Sequence, residues 1–245
     1  MAGIRALALA MAIAGFTPAA VAAPDSRASS EASAGTTAEP TPEEKDLTPD
    51  EIAGRRELER ASQFLDAGEI ASDQAEQTRN YELAAEAASR AVELIPDNAD
   101  AHFVLFGAKG RIAQAGGLAR AALSLSSLNA ELDEVLRLNP NHPDALAARG
   151  GMLMKLPRLM GGNTTEGVRH LERAVEINPN GAGTRLELAE AYKIVNRDAD
   201  ALRAGREALV IAEKKGEPEK VARARTFVTE LEKSCNGCAI AATTK

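Results

Sequence analysis

Three prolines, Pro96, Pro140 and Pro179, each close an amphipathic run, and this recurrence constrains the fold more than any other feature of the 245-residue chain. The runs end Ala91-Val92-Glu93-Leu94-Ile95-Pro96, Val135-Leu136-Arg137-Leu138-Asn139-Pro140 and Ala174-Val175-Glu176-Ile177-Asn178-Pro179. In each, apolar residues at helical spacing stop at a residue that has no N–H and whose ring clashes with the preceding turn. One supersecondary unit is therefore written several times. Units of this kind bury their apolar faces against their neighbours and stack into a solenoid. Solenoids present extended surfaces to partners, which biases the functional reading away from catalysis.

Aromatic residues make up 3% of the chain and tryptophan is absent, so the core must come from Ala, Leu, Val, Ile and Met. Such side chains suit closely packed helices. The net charge is −7. A nucleic-acid binder needs a basic stripe to displace counterions from phosphates, and the sequence carries none.

The two ends read differently from the middle. Arg5 precedes an apolar run from Ala6 to Phe16, and Ala20-Val21-Ala22 offers a small-x-small cleavage site. Residues 1–22 are thus expected to be a secretory signal peptide, too short to span a membrane comfortably. No cysteine lies near the cleavage site to take a lipid. No later segment is apolar enough to cross a bilayer, so the mature chain is expected in the periplasm or secreted, with no transmembrane segment. Residues 23–47 read as a disordered linker, because Ala23 to Asp46 contains no Leu, Ile, Val, Met or aromatic residue to offset the entropy of ordering.

A helical repeat domain is expected over 48–233. Thr48 can cap its first helix, Pro49 suits the first position, and Glu51 can reach back to the cap N–H. That helix is expected to break near Gly68. Asp73 and Glu76 open a second helix reaching Ile95, along which Tyr81, Ala84, Ala88, Ala91 and Ile95 form one stripe. A second pair starts near Asn98, breaks at Gly116-Gly117 and ends at Pro140. A third starts at Asn141 or His142, stops at Pro157 and resumes from an Asn163–Glu166 cap. The fourth runs from about Asn180 to Val195 and from Asp198 to about Lys214, and Pro218 starts a last helix. No stretch alternates with period two over a useful length, so the fold is expected to be all-α.

The helix pairs, the small residues at packing positions (Ala84 and Ala91, Gly167 and Ala174) and the closing Asn-Pro resemble tetratricopeptide repeats. Pro96 and Pro140 are 44 residues apart and Pro140 and Pro179 are 39 apart, against about 34 for a standard unit. The extra residues are expected between the helices of a pair. The string Leu156-Pro157-Arg158-Leu159-Met160-Gly161-Gly162-Asn163, followed by Val168 to Pro179, is similar to the divergent family that includes the T component of tripartite ATP-independent periplasmic transporters. The resemblance covers roughly Glu57 to Lys233. It implies a right-handed α-solenoid of about four helix pairs with a C-terminal capping helix, working beside a solute-binding protein.

Candidate chemistry is sparse. Gly161-Gly162-Asn163 at a helix start could cradle an anion, yet no Lys-Ser/Thr follows as in a P-loop, and a tight reversal with an Asn163 cap accounts for the same residues. His102, His142 and His170 lack metal-ligand spacing, and surface or helix-end positions are expected for them. Cys235 and Cys238 in the 234–245 tail are expected to form a small disulfide in an exported chain; a redox role would need a thioredoxin-like context. No cofactor, metal or catalytic residue is expected. First helices of such pairs line the concave side, where Lys109, Arg111, Arg149, Lys155, Arg185, Lys193 and Arg197 give a basic-leaning groove, with Arg111, Arg149, Arg185 and Lys193 as the candidate partner site.

The expected function is an exported, non-catalytic scaffold that binds protein partners through its groove and inserted loops. The alternative is a small-ligand-binding accessory of a transporter, with a pocket under Phe103, Phe106, Met152, Met154 and Met160.

Overall fold

Thr48 starts the first helix as its side chain dictates. Its hydroxyl accepts from the Glu51 N–H at 3.2 Å, while the Glu51 carboxylate accepts from the Thr48 N–H at 2.7 Å. The computed structural model describes residues 47–234. The signal peptide read over 1–22, the linker of 23–47 apart from its last residue, and the cysteine pair of the tail lie outside those residues.

Helices α1 (Pro49–Ile70), α2 (Gln74–Leu94), α3 (Ala99–Ala115), α4 (Gly117–Leu138), α5 (Pro143–Lys155), α6 (Thr164–Ile177), α7 (Ala182–Ile194), α8 (Asp198–Lys215) and α9 (Pro218–Ser234) follow in order. No strand occurs among the described residues. The architecture is an all-α solenoid. It divides into two compact units, with the boundary between Ala115 and Gly116. That boundary falls inside the second helix pair as the sequence reads it.

In the unit before the boundary, α1 packs on α2 and α2 on α3. Ala61, Ala87, Ala88, Val104 and Leu105 form one core cluster, and Ala91, Ile95 and Ala101 another. The alanines let helices approach closely, so interior density is reached without aromatic bulk. α1 does not break at Gly68, as the sequence suggested, but runs one further residue pair to Ile70. Gly68 is buried inside the helix, and a Cβ there would sit 2.4 Å from the Tyr81 ring. Its role is to admit a neighbour, not to end a turn.

In the unit after the boundary, α5 and α6 form one antiparallel pair and α7 and α8 the next, and α9 closes the array against α8. Leu171, Leu186, Leu202 and Leu231 are almost wholly shut off from water. Each contributes on the order of 1.5–3 kcal/mol by burial. Asn163 caps α6 by accepting from the Glu166 N–H at 3.2 Å. His142 caps α5 through Nδ1, which accepts from the Ala145 N–H at 3.2 Å, and the ring is buried. A helix-end place was expected of it; burial was not.

The two long repeats spend their extra residues differently. In the 39-residue unit they build the loop between α5 and α6, as expected. In the 44-residue unit they extend α4 to 22 residues, with Gly116 alone between it and α3. Gly117 takes φ of +78°, a left-handed conformation open to glycine, and lets a new helix start at once.

Candidate functional site

The four cations expected to share one basic groove are met by partners on different elements. Arg111 on α3 pairs with Glu69 at the end of α1. Arg149 on α5 turns to α4, where it pairs with Asp133 and donates to Asn129 Oδ1 at 3.0 Å. Arg185 on α7 pairs with Glu207 of α8 and donates to the Pro179 carbonyl at 2.9 Å. Lys193, near the end of α7, lies 5.7 Å from the Phe227 ring centroid on α9. The three guanidinium groups are largely covered, with side chains 13–16% exposed. Burial next to a carboxylate makes each a tie between helices, and Lys193 is the one of the four left exposed at a helix surface.

The first helices α5, α7 and α9 touch one another in sequence, and their shared face carries a different set of charges. Glu187 of α7 lies among Lys155 and Asp144 of α5, Glu190 of its own helix and Arg223 of α9. Its Oε2 is shut off from solvent and has no hydrogen-bond partner. Burial pushes its carboxyl up to about 7, against the pull of Lys155 and Arg223. Burial likewise holds the Lys155 ammonium below the ordinary lysine range. Arg223 donates to Glu190 at 2.8 Å, and Ile194 stands 56% exposed at the end of α7. Sequence reasoning placed Lys155 among the groove cations but missed its grouping with Glu187 and Arg223, because no local pattern joins residues of three helices.

The second-helix side of this unit holds a cleft between α6 and α8, floored by α7. Tyr192 donates to Glu172 Oε1 at 2.8 Å, and Arg197 donates to the same oxygen at 3.0 Å. The Arg197 guanidinium also stacks 4.2 Å from the Tyr192 ring centroid. Burial, and then the bond to Glu172, push the Tyr192 hydroxyl up to about 12.

The loop between α5 and α6 is built tightly. The Gly162 N–H donates to the Pro157 carbonyl at 3.0 Å and the Asn163 N–H to the Leu153 carbonyl at 2.9 Å. Gly161 sits at φ of +90°. A Cβ on Gly162 would lie 1.8 Å from the Leu156 carbonyl oxygen, so both glycines serve the reversal. The loop projects Leu159, fully exposed, and Met160, 39% exposed.

The residues named for an apolar pocket belong partly to one unit and partly to the other. Phe103 and Phe106 are buried on α3, their ring centroids 5.9 Å apart. Met152 and Met154 are half-buried on α5. His102 Nε2 lies 3.1 Å from the Pro96 carbonyl oxygen, and His170 is partly buried on α6. No group of three metal-ligating side chains converges among the described residues, and no described helix is long and apolar enough to cross a membrane.

A solved thermophilic TPR protein from Thermus thermophilus superposes with a TM-score of 0.50 at 20% identity, over 72% of this chain and all of that one. The fold is tetratricopeptide-like. A fragment of MamA from Desulfovibrio magneticus also aligns, at 18% identity and a TM-score of 0.41, over 73% of this chain and 98% of that one. No protein-family model matches the chain, and no curated protein matches it in sequence.

Proposed function

We propose that the chain is an exported, non-catalytic scaffold that holds a protein partner on the face formed by α5, α7 and α9. The observation that carries this reading is Glu187. A carboxylate oxygen closed off from water with no partner is costly to keep, and it sits on the face where successive first helices meet. That oxygen is itself out of a partner's reach, so contact would be made by the exposed charges around it. Lys193 and Arg223, on adjacent helices, supply exposed cations at its edge, while Arg111, Arg149 and Arg185 hold the scaffold together.

The test is capture from a periplasmic extract by the mature chain. Lys193→Glu combined with Arg223→Glu should abolish capture while the circular dichroism spectrum stays helical, and capture by the native chain should weaken as salt rises. Capture that survives both changes would overturn the reading. Replacing Cys235 and Cys238 by Ser should leave it intact.

A second reading, a place beside the solute-binding protein of a tripartite transporter, is favoured by the α5–α6 loop. That loop is closed by backbone hydrogen bonds and holds Leu159 fully in solvent, an arrangement that suits docking. If the captured protein is a solute-binding protein and Leu159→Ser releases it, this reading stands.

A further inference from the structure

We propose that the partner segment held on the α5–α7–α9 face is acidic, and that Glu187 makes its grip proton-linked, tighter when the carboxyl holds a proton and looser when it does not; this rests on the scaffold reading.

The cations of the face set the partner's sign. Arg223 shares Glu190 at 2.8 Å. Lys155 and Lys193 make no ion pair among the described residues, and Lys193 lies over the Phe227 ring instead. Lys193 and Arg223 are exposed, and Lys155 is half-buried. Two cations with no carboxylate in ion-pair reach favour a segment that brings carboxylates of its own.

Glu187 stands among these cations without neutralising them. No cation lies within ion-pair distance of it among the described residues, and its Oε2 is enclosed with no hydrogen-bond partner. An ionised carboxyl is poorly served in that place, whereas a protonated one carries no charge to solvate.

Each helix around Glu187 contributes to the balance. α5 brings Lys155 and Asp144, α7 its own Glu190, and α9 Arg223. The acids that α6 and α8 turn towards α7, Glu172 and Glu207, meet Tyr192 and Arg185 instead. Burial, the largest influence, and the two acids favour the proton, while Lys155 and Arg223 oppose it.

The partner does not touch Glu187 but feels its charge across the face. When ionised, Glu187 cancels one positive charge of the row, and a partner carboxylate loses that attraction. An acidic segment therefore binds more tightly below about pH 7 and weakens as pH rises through it. By linkage, binding of the segment draws a proton onto Glu187.

The probe is a hexaglutamate peptide, titrated into the full chain by calorimetry between about pH 5.5 and pH 8, where the peptide's own carboxylates stay largely ionised. At fixed salt, affinity should fall several-fold across this range. Near pH 7, binding in buffers of different ionisation heat should show net proton uptake by the protein. Glu187→Gln, neutral throughout, should bind at every pH as the native chain does at the acid end. Lys193→Glu with Arg223→Glu should not bind.

An affinity that is flat with pH overturns the proposal. So does a slope that Glu187→Gln retains, which would belong to the imidazoles of His142 or His170. Binding without proton uptake sinks it as well, a readout that needs no variant to fold. If the peptide fails to bind while extract capture succeeds, the acidic assignment is wrong and the scaffold reading is kept. Failed capture beside proton-linked peptide binding removes the protein scaffold and leaves the proton-linked acidic site.

Discussion

The Tyr192 hydroxyl donates to Glu172 Oε1 at 2.8 Å, tying α7 to the preceding second helix, α6. Arg197, at the start of α8, reaches the same oxygen at 3.0 Å and covers the tyrosine ring. Three consecutive helices thus meet at one carboxylate. The left-handed Asn196, at φ of 59°, makes this geometry available by turning the chain sharply between α7 and α8.

Tyr192→Phe keeps the buried ring and removes that one donor. Glu172 retains Arg197, so no charge is orphaned. The expected loss of stability is about 1 kcal/mol, read from urea denaturation. A loss above about 3 kcal/mol, the upper end for an unsatisfied buried group, would mean the hydroxyl supports more than this one bond.

Ala84, Ala91 and Ala174 are each 0% exposed, at close helix contacts. Enlarging any of them to Leu should cost about 1–3 kcal/mol by overpacking. The same change at Ala199, which is exposed, should do little. Equal melting temperatures for Ala174→Leu and Ala199→Leu would remove the packing register.

Glu187 should make stability depend on pH. Its folded value of about 7 lies above the ordinary 4.5, so the folded state binds the proton more tightly than the unfolded chain. The resulting stabilisation is complete below about pH 4.5 and is lost as pH rises through about 7. The upper limit of the effect is about 3 kcal/mol. Glu187→Gln, which stays neutral, should flatten this slope between about pH 4.5 and pH 7, the window set by the two values. Parallel pH profiles for the two proteins would show that Lys155 and Arg223 keep the carboxylate ionised throughout.

The α5–α6 loop gives a sharp contrast between neighbours. Gly162→Ala places a methyl against the Leu156 carbonyl and should melt the loop, lowering the thermal midpoint measurably. Leu159→Ser, at a fully exposed position, should leave the midpoint unchanged. If Gly162→Ala is silent, the loop has another low-energy path.

Local chemistry made much of the fold legible in the sequence. Thr48, Asp73 and Asn163 cap the helices they were expected to cap, because a cap is a bond between residues three apart. The prolines at 96, 140 and 179 follow the ends of α2, α4 and α6, because a missing N–H acts within one turn. Gly68 misled for the opposite reason: its function is set by the Tyr81 ring, which arrives from another helix.

Charge was the least legible feature. Lysines and arginines can be assigned to first helices from sequence, but the side each one faces depends on helix phase and on what stands opposite. Arg149 and Arg185 look equivalent as letters, yet α4 offers one of them Asp133 and α8 offers the other Glu207. Glu187 drew no notice as a lone acid within a repeat helix, until α5 and α9 closed around it. Caps and proline stops could be read from the chain alone, since those are contacts between near neighbours. Tertiary structure alone decided which charges are spent on holding the helices together and which remain for a partner, since burial and ion pairing are properties of distant residues brought side by side.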